Sequence, residues 1–351
     1  MTSKPLYMKI LDDLIKDIQT GVYKENDQIP TEFELSERYK VSRITSKRAL
    51  MELEAKGMIS RIRGKGSFVK KIESETKIKK SILFIYPLTS VSNTGLGEYT
   101  KGILEQLEGS EYQLLIQNEN YLFETSMEKL LAEYIGIIYY PKQVVEHLDI
   151  LYQLHLNKLP IVIIDKFFNG LPFKFVTANN LLGGEMATAH LIESGHKRIA
   201  FGSLANRMNT SSVRDRYLGY LKTLHEHSIT ETFHFTESDN QSMTEFFDYL
   251  INEIKKNHVT GIVMENDVLA IQLINRLNQK LISIPQNIAV VGFDNIQAAA
   301  LIQPSLTTIE QNFYEIGKVA CRLILEDMKL AEQEETLVTT DVKLIVRESS
   351  L

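Results

Sequence analysis

The sequence predicts a mixed α/β protein in two parts: a small helical head closed by a β-hairpin, then a much larger domain of two α/β lobes. Three observations carry that expectation. Between residues 29 and 69, two short helical patterns with a tight break at Tyr39-Lys40-Val41 run into a basic hairpin punctuated by glycines. From residue 81 onward, short apolar runs alternate with helical stretches, the pattern of a mainly parallel sheet covered on both faces. Charge divides the chain in the same place. Residues 1–80 hold 18 Lys and Arg against 12 Asp and Glu, whereas all 351 residues hold 39 against 45 and a net charge of −6. A polyanion is drawn to the first part and repelled by the second.

Composition narrows the class. Hydrophobic content of 44% with 24% charged residues is that of an ordinary globular chain. No apolar run approaches the roughly 20 residues that span a bilayer, so no membrane partner is expected. The N-terminal stretch carries acids inside its apolar pattern, unlike a signal peptide. The single cysteine, Cys321, can form no internal disulfide and no thiolate metal cage, which fits a cytoplasmic protein. Expected boundaries are 1–70 for the head, 71–81 for a polar, charged linker, and 82–351 for the two-lobed domain.

In the head, Leu6, Ile10, Leu14, Ile15 and Ile18 recur at helical spacing, and Gly21 ends that helix. Thr31 with Glu34 three residues later forms a capping box for a second helix over Glu32–Tyr39. Ser42 opens a third helix running to about Lys56, with Ala49, Leu50 and Leu53 facing the core. Arg43, Thr45, Lys47 and Arg48 cluster in its first turns, where a recognition helix meets base edges. The following segment alternates around Gly64 and Gly66, glycines that let a hairpin tip approach DNA closely, with Arg63 and Lys65 able to enter the minor groove. This is the layout of a winged helix-turn-helix. It is not a phosphate-binding P-loop: the glycine spacing is too long, and Gly66 stands where a Ser or Thr must bind magnesium.

Pro5-Leu6-Tyr7, Ile29-Pro30-Thr31-Glu32, Val41-Ser42-Arg43 with Thr45, Ala49-Leu50 and Gly64-Lys65-Gly66-Ser67-Phe68-Val69 together resemble the GntR-family DNA-binding domain. The resemblance implies double-stranded operator DNA as partner, with contacts at Glu32, Arg43, Thr45 and Lys47 and at the wing tip around residues 63–66. Family members usually carry Arg where Lys47 stands, so a phosphate contact is favoured there over bidentate base reading.

In the larger part, strands are expected at residues 82–86, 112–117, 136–140, 160–164, 175–176, 198–202, 261–264 and 288–292. Helices are expected at 98–107, 124–133, 182–194, 214–226, 242–257, 267–278 and 313–327. Ligands bind such sheets at the carboxyl ends of the strands. Three strand ends carry acids or amides: Asp165, the run Glu265-Asn266-Asp267, and Asp294 with Asn295. Singly these are turn formers or caps; together they can satisfy several hydroxyls at once.

The stretch V-T-A-N-N-L-L-G-G-E-M-A-T-A-H-L-I-E-S-G-H-K-R-I-A-F-G, then Arg216-Tyr217-Leu218-Gly219-Tyr220, Asn266-Asp267, I-P-Q-N-I-A-V-V-G-F-D-N and Pro304-Ser305-Leu306-Thr307-Thr308-Ile309 resemble the effector domain of the LacI/GalR repressors. That fold is similar to periplasmic sugar-binding proteins. It implies effector contacts at Asp165, Arg216, Asn266 and Asp294, completed by the loop of residues 90–99 that ends at Tyr99. Asn179-Asn180 replace the usual Asp-Asn, which puts capping of the next helix in question.

Other chemistry is weakly supported. Gly95-Leu96-Gly97 and Gly102 are spaced too widely for a dinucleotide fingerprint, so no cofactor is expected. His225 and His227 lack a third metal partner, and His190 and His196 read as packing or capping. No Ser-His-Asp spacing or paired-carboxylate context points to an enzyme. The expected function is a homodimeric repressor that a small sugar releases from its operator. The alternatives are the same build sensing a purine or other metabolite as corepressor, or a non-regulatory sugar-binding protein.

Overall fold

The computed structural model describes residues 5–62, 65–70, 80–87, 95–142, 148–204, 208–237, 242–327 and 337–351. The chain divides into two compact units, Met1–Ile78 and Lys79–Leu351.

The first unit contains α1 (Leu6–Gln19), β1 (Gln28–Ile29), α2 (Glu32–Tyr39), α3 (Arg43–Ala55), β2 (Ile59–Ile62) and β3 (Gly66–Val69). Its core joins Ile10, Leu14 and Ile18 of α1 to Leu35, Ala49, Leu50 and Leu53, with Ile29, Ile59 and Val69 from the strands. The capping box forms as expected: Thr31 Oγ1 accepts from Glu34 N, and the Glu34 carboxylate accepts from Thr31 N at 2.7 Å. Lys40 closes α2 in the left-handed region, turning the chain into α3. The hairpin gains a third strand that the sequence reading omitted, because β1 is two residues long and pairs antiparallel with β3.

The second unit opens with β4 (Ser81–Ile85), α4 (Leu96–Leu107), β5 (Gln113–Gln117), α5 (Tyr121–Glu124), α6 (Met127–Glu133), β6 (Tyr134–Tyr139), α7 (Leu148–Leu156), β7 (Ile161–Ile164) and β8 (Lys174–Ala178). It continues with α8 (Asn180–Glu193), β9 (Ile199–Ser203), α9 (Ser211–Glu226), β10 (Phe233–Thr236), α10 (Met243–Lys256), β11 (Gly261–Met264), α11 (Asp267–Gln279), β12 (Ala289–Asp294) and β13 (Thr307–Gln311). Last come α12 (Phe313–Asp327), β14 (Leu337–Thr340) and β15 (Val342–Ile345). The helix expected over 124–133 is two short ones. Ser126 is extended between them, and its hydroxyl accepts from Lys129 N to start a new helix.

Two six-stranded sheets result. The first runs β14-β8-β7-β6-β4-β5 and is parallel throughout; the second runs β10-β9-β11-β12-β13-β15, with only β15 antiparallel. The chain passes between lobes three times: from β8 to α8, from β13 to α12, and from β14 to β15. Two of these crossings are tied together, Asn179 N donating to Thr340 O at 3.0 Å. Asn179 also caps α8, its Oδ1 accepting from Leu182 N, so the missing aspartate leaves the cap intact. Strands β10, β14 and β15 lie at sheet edges and β13 is rich in Thr and Gln, which is why a search for apolar runs passed over them.

Helices α8 and α9 pack backbone to backbone. A Cβ on Gly184 would overlap Arg216 O, and one on Gly219 would overlap Leu181 O. Backbone cannot yield as a flexible side chain can. Gly184→Ala is therefore expected to destabilise the second unit by about 1–3 kcal/mol and to displace Arg216, visible as a lower thermal midpoint. An unchanged midpoint would contradict this packing.

Candidate DNA-reading surface and ligand cleft

In the first unit, the start of α3 is anchored before it is exposed. Ser42 Oγ accepts from Thr45 N and shares a 2.9 Å hydrogen bond with Thr45 Oγ1. Buried Ser46 donates to Glu32 O at 2.8 Å, locking the first turn of α3 to that of α2. The Arg43 guanidinium lies 4.8 Å above the Phe33 ring, and Lys47 is exposed four residues on, along the same side of the helix.

The predicted contact residues are not all equally free. The Glu32 carboxylate is ion-paired with Arg61 of β2. Arg61 N in turn donates to the Glu54 carboxylate, so α2, α3 and the wing are stapled together. Arg48 lies 4.0 Å over the Tyr7 ring and bonds its hydroxyl, engaged with α1. Lys65 is exposed, while its carbonyl accepts from Gln28 Nε2. Gly66 has a φ of 119°, a backbone conformation that favours glycine, whereas the nearest atom a Cβ would meet is the movable end of the Gln28 side chain. Arg63 and Gly64 lie outside the described residues. Arg61 was missed by sequence reasoning; its signal was a second arginine two residues before Arg63 in the sequence.

In the second unit, a cleft of about 300 Å³ opens where strands of both sheets end. Its lining includes Asp165, Arg216, Asn266 and Asp294, four of the five side chains expected there. Asp165 follows β7 with a φ of 72°, and Asp294 ends β12 with a φ of 121°. Left-handed backbone at non-glycine residues is strained and is held only where surroundings dictate it. Here it aims both carboxylates into the cleft.

Arg216 is 5% exposed, and its guanidinium is held through Nε, Nη1 and one flat face. Nε donates to Asn180 Oδ1 at 2.9 Å, Nη1 donates to Glu265 O at 2.6 Å, and Asp294 Oδ1 lies 3.6 Å away. The Phe293 ring lies 3.6 Å beneath it. Gln311 Nε2 donates to Asp294 at 2.5 Å. Burial pushes the Asp294 carboxyl up to about 6, against the opposing pull of Arg216. Behind it, Asp267 accepts from Thr308 Oγ1 and from Ile296 N, fixing the loop after β12, and burial raises its carboxyl well above the usual range.

On the other lobe, Lys166 is 2% exposed, 2.6 Å from Asp165 and 4.4 Å over the Tyr140 ring. Asn266 caps α11 through Leu269 N and donates to Glu265 Oε1, while Glu265 Oε2 accepts from Leu204 N. Tyr99 does not line the cleft. It is fully buried behind it, its ring 5.0 Å from Phe313 and 6.2 Å from Tyr140, with no hydrogen-bond partner for its hydroxyl among the described residues. Half of the loop expected to complete the pocket, residues 90–94 of 90–99, lies outside the described residues. Lys166, Tyr140, Gln311 and Phe313 line the cleft without having been predicted, and so does Glu265, which the sequence marked only as part of a polar strand end. Lys166 and Glu265 each sit one residue from a predicted position, so adjacency to a strand end was the available signal.

The remaining polar groups read as structural. His190 Nε2 bonds Ser350 Oγ, His196 Nδ1 bonds Thr260 Oγ1, and Cys321 is buried in the core.

Comparison with known proteins follows the two units. Residues 6–69 match the model of bacterial regulatory proteins, gntR family, and residues 188–350 match that of a periplasmic binding protein-like domain. The arabinose metabolism transcriptional repressor of Geobacillus stearothermophilus is 28% identical over 364 residues, covering 99% of this chain and 98% of that protein. The HTH-type transcriptional repressor PurR of Vibrio atlanticus is 28% identical over 267 residues, 74% of this chain and 78% of its own length. A LacI family transcriptional regulator from Enterococcus faecium, solved with bound ribose, superposes with a TM-score of 0.66 at 23% identity, covering 77% of this chain and 98% of that one.

Proposed function

We infer that this chain, which joins a GntR-family helix-turn-helix domain to a periplasmic-binding-protein-like domain, is a sugar-sensing transcriptional repressor of carbohydrate-utilisation genes. The observation that carries the reading is the cleft. Its two buried cations are already matched, Lys166 with Asp165 and Arg216 with Asp294. A charged ligand would leave one of these groups unbalanced in a poorly solvated site, whereas a neutral polyol can accept from the cations and donate to the carboxylates. A volume near 300 Å³ is at the small end for ligand sites and suits a monosaccharide. The end-to-end similarity to an arabinose metabolism repressor favours L-arabinose or a related pentose.

The proposed cycle is cytoplasmic and uses two copies of the chain. Two heads of a homodimer bind a palindromic operator, since two-fold protein symmetry matches two-fold DNA symmetry. The head's contacts are Arg43, Thr45, Lys47 and the wing around residues 63–66, with Glu32 and Arg48 placing the elements that carry them. A sugar held by Asp165, Arg216 and Asp294 draws the lobes together about the three crossings. It lowers operator affinity only by the difference in its affinity for the two states.

Operator release measured by fluorescence anisotropy, with L-arabinose, D-xylose, D-ribose, D-glucose, hypoxanthine and guanine as candidates, tests the reading. Release by one of the sugars is expected. Tighter binding with a purine would favour the second reading, which the similarity to PurR supports.

Acidity provides a separate check. With its carboxyl raised from an ordinary 3.8 to about 6, Asp294 holds its proton more tightly in the folded than in the unfolded chain. Its own contribution to stability therefore falls as pH rises between these values. Sugar affinity is expected to move the opposite way, weakening as pH drops through about 6, because a protonated carboxyl loses an acceptor and its attraction to Arg216. Calorimetric titrations with sugar and thermal unfolding, each on wild type and Asp294→Asn at pH 5 and pH 8, read the two effects separately. A pH dependence that persists in the variant would assign it elsewhere.

A further inference from the structure

The most exposed apolar side chain of the described first unit is Ile44, at 80%. It occupies the second position of α3, between Arg43 and Thr45. The buried side of that helix is set by Ser46, Ala49, Leu50 and Leu53. At about 100° per residue, Ile44 lies roughly 170° from the middle of that stripe. It is thus the outermost point of the helix's first turn. Lys47 and Met51, the latter 52% exposed, share its outer face, while Arg43 lies on one flank and Thr45 on the other. The surroundings are strongly basic, with 11 Lys and Arg against two acids between residues 38 and 71.

Resting on the reading that this unit binds duplex DNA, we propose that Ile44 reads the 5-methyl group of a thymine in the major groove. The first turn of a recognition helix is the part that meets base edges. An isoleucine there has no donor or acceptor, so it cannot distinguish bases by hydrogen bonding. The one apolar feature that the major groove offers is the thymine methyl. A β-branched side chain on a helix is confined to nearly one rotamer, so its methyl surface is presented at little entropic expense. Arg43 and Lys47 supply the attraction that brings the helix to the groove, and Ile44 supplies a preference that neither cation can express.

The test uses the full-length protein and the duplex it enriches most strongly from a randomised pool. Each thymine in turn is replaced by deoxyuridine, which removes the 5-methyl and leaves pairing and the O4 acceptor intact. Wild-type affinity is expected to drop about four- to tenfold at one thymine per half-site, the scale of one buried methyl contact. The same replacement should have no effect on Ile44→Ala. Because Ile44 is exposed, that variant should melt as wild type does. Met51→Ala is the control and should retain the full deoxyuridine penalty. The proposal is overturned if Ile44→Ala loses affinity equally with thymine and deoxyuridine at every position, if it loses none, or if the penalty follows Met51 instead. If no duplex is enriched at all, the DNA-binding reading falls and takes this inference with it. Enrichment without a coupled thymine removes the inference alone.

Discussion

Arg43→Ala is expected to weaken operator binding by about 30-fold or more while leaving sugar affinity unchanged. One bidentate arginine contact is worth about 1–3 kcal/mol of discrimination, and a dimer loses two of them. The structure adds a reason to expect the upper part of that range. The Arg43 guanidinium rests 4.8 Å over the exposed Phe33 ring, so its direction is set before DNA arrives and little rotamer freedom remains to be lost on binding. Arg43→Lys keeps the charge but not the planar fork, and should recover salt-dependent, sequence-independent binding without the specific component. Phe33→Ala should fall between wild type and Arg43→Ala, since it frees the arginine without deleting it. Anisotropy titrations against operator and scrambled duplex separate these cases. An Arg43→Ala chain that binds its operator as wild type does would show that α3 is not the reading element.

What the sequence could reveal about these surfaces follows from the range of the interactions. The capping box at Thr31 and Glu34 spans three residues, and the helix it starts, Glu32–Tyr39, is legible to the residue. Apolar strands buried on both faces, such as Gly261–Met264, announce themselves as runs. The polar β13 and the edge strands do not, because their cover comes from elements far away in the chain. The same limit applies to the sites. Asp165, Asn266 and Asp294 stand out together as polar strand ends and Arg216 through the resemblance, yet nothing local says that Gln311 will bond Asp294. Nor does anything local say that Glu32 will spend its carboxylate on Arg61, 29 residues away. Tyr99 illustrates the converse. It lies at the correct end of the sheet, but Phe313, arriving from a later crossing between lobes, packs 5.0 Å from its ring and lines the cleft where Tyr99 does not.

Under the proposed function Arg216 serves both fold and response, and its removal is expected to impair both. The guanidinium is buried with Asp294, and deleting one partner of such a pair leaves the other as an uncompensated charge, a loss of about 3–5 kcal/mol. Arg216→Ala should therefore lower the thermal midpoint and abolish the sugar response together, which by itself does not separate the two roles. Arg216→Lys does. It keeps a cation beside Asp294, yet cannot reach Asn180 Oδ1 and Glu265 O in the same fork. Its expected phenotype is a chain that folds and binds operator normally but needs at least about tenfold more sugar for release, the scale of one lost charge-assisted hydrogen bond. The charge-free pair Arg216→Met with Asp294→Asn should restore most of the midpoint lost in Arg216→Ala, because both buried charges have gone, while remaining deaf to sugar. If Arg216→Lys instead responds at the wild-type sugar concentration, the guanidinium is a structural clamp between α9 and the ends of β11 and β12, and the ligand is held by other groups of the cleft.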